Sequence, residues 1–206
     1  LETVFAKFYE ALGGIDMLKA LKAMDMKAHI EIPGMPGQLQ MRTAKITPNK
    51  FMMEQSMQGM TVMKMTYVDG VGKQSGMQGE KELDGEELQD LKKQASFVVD
   101  ELAWMQDLES FTFDGQTLID GKAVYQVSEG EKTRYFEVET GLFYKSTETT
   151  ETPEGDMAVS MTVEEWGEYN GIKMPKVSKQ SAGQQTFTIK VDSVEFGDDV
   201  EAKLFK

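Results

Sequence analysis

The feature that most restricts the fold is a long succession of short segments in which apolar and polar residues alternate. In the first of them, Met26, Ala28 and Ile30 alternate with Lys27 and His29. This period of two predicts half-buried strands, because successive side chains of a strand point to opposite faces. The further predicted strands are Gln38–Ile46, Phe51–Gln58, Met60–Val68, Phe111–Phe113, Ala123–Val127, Thr133–Val138, Leu142–Thr149, Met157–Trp166, Ile172–Gln180 and Phe187–Val194.

Dipeptides that end in glycine separate most of these segments. They are Asp69-Gly70, Asp114-Gly115, Asp120-Gly121, Glu129-Gly130, Thr140-Gly141, Glu154-Gly155 and Asn170-Gly171. Such dipeptides favour tight hairpin turns, since glycine accepts a positive φ. Short connections join antiparallel neighbours, so we predict a meander of about ten strands. A twisted sheet of that size tends to curl rather than stay flat.

Three segments have a helical period instead. The first covers residues 4–12, where apolar side chains recur at three- and four-residue spacing until Gly13-Gly14 ends the pattern. The second covers residues 15–23. The third begins at Asp84-Gly85-Glu86-Glu87, which has the form of a capping box, and its pattern extends towards Trp104. We therefore predict an α+β fold with two or three helices.

Length and composition exclude several classes of protein. The 206 residues suit one domain, which we predict over residues 1–206. The net charge of -13, without a basic cluster, disfavours nucleic acid, whose binding rests on Lys and Arg. The chain has no cysteine and one histidine, which excludes disulfides and ordinary zinc sites. No segment reaches the roughly 20 apolar residues that cross a bilayer.

Methionine is the most informative residue type. Of the 16 methionines, eleven lie between Met24 and Met77. Because its side chain is unbranched and polarizable, methionine suits a surface that adapts to flexible apolar ligands. The same residues could simply fill a core, and both interpretations stay open at this stage. The side chains that we predict to line a pocket are Met41, Met53, Met63, Met65, Tyr67, Leu91, Trp104, Tyr125, Phe136 and Met161.

Catalytic and metal-binding patterns are weak. His29 falls on the polar side of its strand, which predicts a surface histidine. The segment 70–76 superficially resembles a phosphate-binding loop but lacks the Gly-Lys-Ser/Thr ending, so we interpret it as a hairpin turn. The adjacent carboxylates at Glu86-Glu87, Glu164-Glu165 and Asp198-Asp199 are predicted to be solvated surface charge. We predict no catalytic residue, no metal and no cofactor.

Several motifs, taken in order, resemble the LolA/LolB-like superfamily of outer-membrane lipoprotein carriers. A strand start at Thr47-Pro48-Asn49-Lys50-Phe51 precedes a turn at Val68-Asp69-Gly70. Later, Val138-Glu139-Thr140-Gly141-Leu142 is followed by residues 166–175, whose sequence is WGEYNGIKMP. The similarity in order and spacing covers most of the chain.

This resemblance implies an incomplete barrel, in which a strongly curved antiparallel sheet holds helices and a hydrophobic cavity on its concave side. It also implies a periplasmic location, which fits a chain that begins at Leu1 as if a signal peptide had been removed. The carriers have an arginine just before the proline, where it helps to hold the lid helices, whereas this chain has Thr47. The resemblance therefore supports the fold more than the shuttle mechanism.

Three functions follow as hypotheses. The first is non-catalytic binding or transport of a hydrophobic ligand, such as a lipid, an acyl chain or a lipoprotein, in the cavity of the half-barrel. The alternative is an envelope-sensing or protein-interaction module that uses the same fold without lipid cargo. A hydrolase built on facing carboxylates is the third and weakest hypothesis, because adjacent strand residues point to opposite faces.

Overall fold

The computed structural model describes residues 1–77, 79–152, 155–197, 200 and 202–205. Its helices are α1 (Glu2–Leu12), α2 (Ile15–Ala20) and α3 (Gly85–Ser96), with 3₁₀ helices η1 (Asp100–Gln106), η2 (Leu108–Ser110) and η3 (Ala202–Phe205). Its strands are β1 (Ala23–Glu31), β2 (Leu39–Ile46), β3 (Lys50–Met57), β4 (Met60–Val68), β5 (Val71–Gly76), β6 (Gly79–Leu83), β7 (Thr112–Ile119), β8 (Lys122–Glu129), β9 (Lys132–Glu137), β10 (Phe143–Thr152), β11 (Gly155–Tyr169), β12 (Ile172–Ala182) and β13 (Gln185–Phe196).

The thirteen strands form one sheet in the order β6-β5-β4-β3-β2-β1-β13-β12-β11-β10-β9-β8-β7. All consecutive strands are therefore hydrogen-bonded neighbours except β6 and β7, which lie at opposite edges, and the first strand, β1, lies beside the last, β13. The sheet is open, with β6 and β7 as its edge strands. The predicted α+β class and the antiparallel meander are confirmed, with three more strands than the ten expected.

Contacts within the chain group it into two compact units. The α1 unit comprises Leu1–Ile15 and Trp104–Ile189, and the α3 unit comprises Asp16–Ala103 and Lys190–Lys206. Each unit has a helix on one face of its own strands. The description of the chain as a single domain stays a prediction.

In the α3 unit, helix α3 covers one end of one face of the sheet. Leu91 and Ala95 of the helix are buried against Phe51, Tyr67 and Leu83, which come from β3, β4 and β6. Burial of a large apolar side chain stabilises a fold by about 1.5–3 kcal/mol. This cluster is therefore the main attachment of α3.

The opposite face of the same strands is covered by the end of the chain. Ala44 and Met52 lie in adjacent strands and are buried in one cluster with Val200 and Phe205. The two faces of β2 and β3 thus have separate apolar layers, which explains why Met52 and Met53 both contact apolar neighbours although they point in opposite directions.

In the α1 unit, helix α1 attaches to the sheet through aromatic side chains. The ring centroids of Phe5 and Phe8 lie 5.8 and 5.2 Å from that of Phe136 in β9, in edge-to-face geometry. The helix ends at Leu12 because Gly13 adopts a φ of 129°, as the Gly13-Gly14 pair predicted. Such aromatic pairs contribute about 0.5–1.5 kcal/mol each beyond the burial of their area.

Two parts of the motif that resembled lipoprotein carriers meet in the α3 unit. The β3–β4 hairpin pairs Lys50 with Val68, so Asn49 and Asp69 lie side by side and their side chains are hydrogen-bonded. At the position where the carriers have arginine, the Thr47 hydroxyl donates to the Lys22 carbonyl oxygen over 3.2 Å. Thr47 therefore makes a local contact with the segment before β1.

Buried charges in the α3 unit are paired. Arg42 donates from Nε and Nη2 to the two carboxylate oxygens of Asp25, over 2.9 and 2.6 Å. Lys45, whose side chain is 3% exposed, donates to Asp100 and lies over the Phe51 ring. A buried ion pair costs stability if one partner is removed, because the other is left as an uncompensated charge.

Several local predictions were wrong. Asp114-Gly115 was expected to be a turn, but it lies within β7, where the pairing with β8 shifts register between Phe113 and Gly115. The segment 70–76 was expected to be a hairpin turn, but Val71–Gly76 forms β5 and pairs with β6. A dipeptide with glycine can mark a bulge as well as a turn, and only the partner strand decides which.

The helix boundaries also differ from the expected ones. Asp84 is the N-cap of α3, but its side chain makes no capping hydrogen bond. Helix α2 stops at Ala20 instead of reaching Ala23, because Ala23 already pairs with Ile46 in the sheet. The helical pattern towards Trp104 is interrupted after Ser96 and continues as the 3₁₀ helix η1. The predicted turn at Glu154-Gly155 includes Glu154, which lies outside the described residues.

Two glycines in turns of the α1 unit predict different costs of substitution. Gly141 and Gly121 have similar φ values of 76° and 81°. A Cβ added at Gly141 would lie 2.9 Å from the Lys7 carbonyl oxygen. A Cβ added at Gly121 would have open space for 4 Å around it among the described residues. We expect Gly121→Ala to cost about 1–2 kcal/mol from backbone strain alone and Gly141→Ala about 1–3 kcal/mol more from overpacking. Urea unfolding of both variants would measure this, and equal losses would contradict it.

Candidate ligand-binding surfaces

The predicted methionines come together on the face of the sheet that carries α3. Met53 of β3 pairs with Met65 of β4. Gln55 of β3 pairs with Met41 of β2 on one side and with Met63 of β4 on the other. Since side chains alternate along a strand, Met63, Met65 and Tyr67 share this face. We call the surface formed by Met41, Met53, Met63 and Met65 the methionine groove.

Helix α3 covers only one end of this face. Leu91 of the helix and Tyr67 of β4 are buried in the cluster between helix and sheet. Met53 and Met65 are partly buried and pack against this cluster. All four methionines of the groove are only half-buried, although β2, β3 and β4 are interior strands of the sheet. The groove is therefore the part of the apolar face that the helix leaves uncovered.

A cavity of about 540 Å³ continues the groove beyond Met63. Its lining combines the apolar side chains of Val62, Met63 and Met77 with polar and charged residues, which are Gln55, Gln74, Ser75, Glu80 and Lys81. Ligand pockets typically measure about 300–1,000 Å³ and combine an apolar wall with a few polar groups. Its size and its mixed lining thus suit a small amphiphile.

In the α1 unit, two of the predicted residues belong to an aromatic cluster. Trp104 lies 5.5 Å from Phe5 and 5.7 Å from Phe8 between ring centroids, and 6.1 Å from Phe136. Phe136 is fully buried, whereas Trp104 is half-buried at the surface of the cluster. Trp104 therefore contacts both helix α1 and strand β9.

Tyr125 and Met161 are half-buried on the strands of the same unit. Tyr125 lies opposite Phe136 in the β8–β9 register, and its ring contacts Phe113. Met161 lies opposite Ser146 of β10 and Gln180 of β12. The ten predicted lining residues are thus divided between two surfaces, six in the α3 unit and four in the α1 unit.

A second cavity, of about 460 Å³, lies along α1 and was not expected from the sequence. We call it the α1 cavity. Its lining consists of Phe5, Ala6, Tyr9, Ile15, Met105 and Leu108, with Glu2 and Glu10. The apolar stripe of α1 is wide enough to contact both the sheet and this cavity, which is the signal that sequence analysis could have used.

The most buried cation among the described residues of the α1 unit was not predicted from the sequence. Arg134 of β9 is 8% exposed in its side chain, and its Nη2 lies 2.7 Å from Glu129 Oε2. Its guanidinium carbon lies 4.9 Å from the Trp104 ring centroid and 5.3 Å from that of Phe111. In the sequence it stands between Thr133 and Tyr135 in an ordinary alternating strand, where no pattern distinguishes it from a surface arginine.

His29 is more enclosed than predicted. Its side chain is 16% exposed, with Nδ1 2.8 Å from Asp192 Oδ1 and Nε2 3.7 Å from Glu31 Oε1. Strand β13 lies beside β1 in the sheet and brings Asp192 next to the ring, which the sequence did not reveal. The hydrogen bond from Lys190 lowers the pKa of Glu31 despite some desolvation. The ring thus lies between two carboxylates, those of Asp192 and Glu31.

The carboxylate pairs behave as surface charge. Glu87 contacts Lys81, Glu165 contacts Lys176, and Glu164 lies 3.9 Å from Lys179. Asp198 and Asp199 lie outside the described residues. Within the part of the chain that the structure describes, no three His, Asp or Glu side chains are arranged to hold a metal ion.

Solved structures with the same fold cover nearly the whole chain. A LolA superfamily protein from Nitrosomonas europaea has a TM-score of 0.63 at 8% identity, over 100% of this chain and 96% of that chain. A DUF1329 family protein from Desulfovibrio piger has a TM-score of 0.62 at 11% identity, over 98% and 97%. A domain from Vibrio parahaemolyticus, provisionally assigned to outer-membrane lipoprotein sorting, has a TM-score of 0.60 at 9% identity, over 100% and 94%.

These comparisons show that the chain has the LolA-like fold, as its motifs implied. No family profile matches the sequence, and no curated protein matches it. None of the described helices combines the length and apolar character needed to cross a bilayer.

Because side chains of the methionine groove are half-buried and those under α3 are fully buried, truncating them should lower the unfolding free energy by different amounts. Leu91→Ala removes a fully enclosed side chain and is expected to cost about 2–5 kcal/mol of unfolding free energy. Met63→Ala removes a half-buried side chain at the uncovered end of the same face and is expected to cost about 1 kcal/mol or less. Chemical denaturation of the two variants would check this. An equally large loss for Met63→Ala would mean that the groove is part of the packed core.

Proposed function

We propose that this protein binds a hydrophobic ligand without catalysing a reaction, and that an apolar chain lies in the methionine groove. The observation that carries the proposal is the incomplete cover of one apolar sheet face. Met41, Met53, Met63 and Met65 lie on interior strands but remain half-buried, because α3 packs on only one end of that face.

Methionine at these positions suits a cargo of variable shape. Its side chain has three rotatable bonds and a polarizable sulfur, so it adapts to a flexible ligand at little cost in strain. Each buried methylene of an acyl chain contributes about 0.8 kcal/mol. Association costs several kcal/mol, so the net affinity of a long acyl chain suits a protein that both holds and releases its ligand.

The fold adds support of a coarser kind. The similar Vibrio domain is provisionally assigned to outer-membrane lipoprotein sorting, and the Nitrosomonas protein belongs to the LolA superfamily. We accordingly propose an acyl chain or the lipid part of a lipoprotein as the ligand, and the periplasm as the location. Neither similarity supplies a catalytic role, so a binding protein is the simplest function that fits the fold and the groove.

Charge substitution within the groove tests the proposal. Met65→Glu places a carboxylate on the apolar wall, and desolvating that carboxylate opposes the entry of a hydrocarbon chain. We expect this variant to lose at least about tenfold in affinity for a fluorescent fatty acid, measured by titration. Met60→Glu is the matched control, because Met60 lies on the same strand but is 68% exposed outside the groove, and its affinity should be unchanged.

Gentle purification followed by native mass spectrometry and lipid extraction supplies an independent measurement. We expect a substoichiometric apolar adduct that is reduced in Met65→Glu. If the protein carries no apolar adduct and takes up no probe, the binding proposal is wrong. Stoichiometric recovery of one protein partner in a pull-down, together with that result, would instead support the alternative of an interaction module.

A further inference from the structure

Arg134 has a donor group without a protein partner in the interior of the α1 unit. Among the described residues, its Nη1 is the one buried side-chain polar atom that has no hydrogen-bond partner. The side chain is 8% exposed and lies against the Trp104 and Phe111 rings. A buried donor without an acceptor costs about 1–3 kcal/mol, and more on a charged group, so it requires an explanation.

The charge of Arg134 is already balanced, which restricts the missing acceptor. Glu129 forms an ion pair with Nη2 at 2.7 Å, and the neighbouring Lys132 pairs with Glu148 at 3.7 Å. These two cations and two carboxylates sum to zero. A second anion at Nη1 would be a buried charge without a counter-charge, whereas a neutral carbonyl oxygen accepts the hydrogen bond without that cost.

The surroundings of the guanidinium specify the rest of the ligand. Phe5 contacts Trp104 at 5.5 Å and Phe111 at 5.2 Å, and the same Phe5 ring lines the α1 cavity. Arg134 is therefore one aromatic layer away from an apolar cavity of about 460 Å³. Nη1 is buried, so a ligand reaches it only when a ring of this layer moves, and Trp104, in a 3₁₀ helix, is the half-buried ring of the layer.

We propose that Arg134 Nη1 donates a hydrogen bond to the carbonyl oxygen of an ester- or amide-linked acyl chain whose hydrocarbon part lies in the α1 cavity. The inference rests on the proposed function only in that the ligand is apolar, and it does not depend on the methionine groove. It makes the α1 unit selective for acylated compounds over free fatty acids. The protein's net charge of -13 acts in the same direction, because it disfavours anionic ligands.

Three probes with a 16-carbon chain separate the contributions of the ligand. Methyl palmitate carries a neutral carbonyl, palmitate carries a carboxylate, and hexadecane carries only hydrocarbon. Trp104 emission reports binding in a Trp166→Phe background, because these are the two tryptophans of the chain. We expect methyl palmitate to bind at least about tenfold more tightly than hexadecane, as for a hydrogen bond to a charged donor, and more tightly than palmitate.

Two variants test the role of each charged group. Arg134→Lys keeps the positive charge beside Glu129 but has one nitrogen, so the ester should lose its advantage while hexadecane binds as before. Glu129→Gln leaves the guanidinium uncompensated, and the preference should shift from the ester towards palmitate. Thermal melting of each variant establishes that it is folded, and the comparison of probes on the parent protein needs neither substitution.

The outcomes separate this inference from the proposed function. Equal binding of methyl palmitate and hexadecane would overturn the role of Arg134 and leave apolar binding intact. Preference of the unsubstituted site for palmitate would overturn the neutral acceptor. Failure of hexadecane to bind anywhere on the protein, together with failure of the fluorescent probe, would remove the hydrophobic ligand itself.

Discussion

The structure depends on the packing of one short helix against one end of an apolar sheet face, and this occurs in each unit. In the α3 unit the contact is aliphatic on aromatic, with Leu91 in one buried cluster with Phe51 and Tyr67. In the α1 unit it is aromatic on aromatic, with Phe8 against Phe136. Helices of 11 and 12 residues are about 17–18 Å long at 1.5 Å per residue. Each therefore covers only part of its face.

Incomplete cover has different consequences in the two units. In the α3 unit the methionine groove has half-buried apolar side chains, and the cavity that continues it adds glutamines together with Glu80 and Lys81. In the α1 unit the face carries the buried Arg134. Its charge is balanced by the carboxylate of Glu129, and its guanidinium lies over the ring of Trp104. One surface offers adaptable apolar contact, and the other offers a directed hydrogen bond beside an apolar cavity.

Much of the architecture follows from local patterns. The alternation in Met26–Ile30, the stop at Gly13-Gly14 and the turn at Asp69-Gly70 were all correctly interpreted, because each depends on the preferences of a few adjacent residues. The errors have a common cause. Asp114-Gly115 is a bulge and Val71–Gly76 is a strand, and both outcomes depend on pairing with another strand rather than on the dipeptide itself.

By itself the sequence determined that the chain forms a long antiparallel meander with a methionine-rich early half, since periodicity and turn chemistry act over a few residues. Only the tertiary structure decided how much of each apolar face is covered, because cover depends on where a helix from elsewhere in the chain is placed. It also decided how deeply the side chains of Arg134 and His29 are buried and which groups they contact. A side chain's burial and partners are set by neighbours distant in sequence, such as Trp104 for Arg134 and Asp192 for His29.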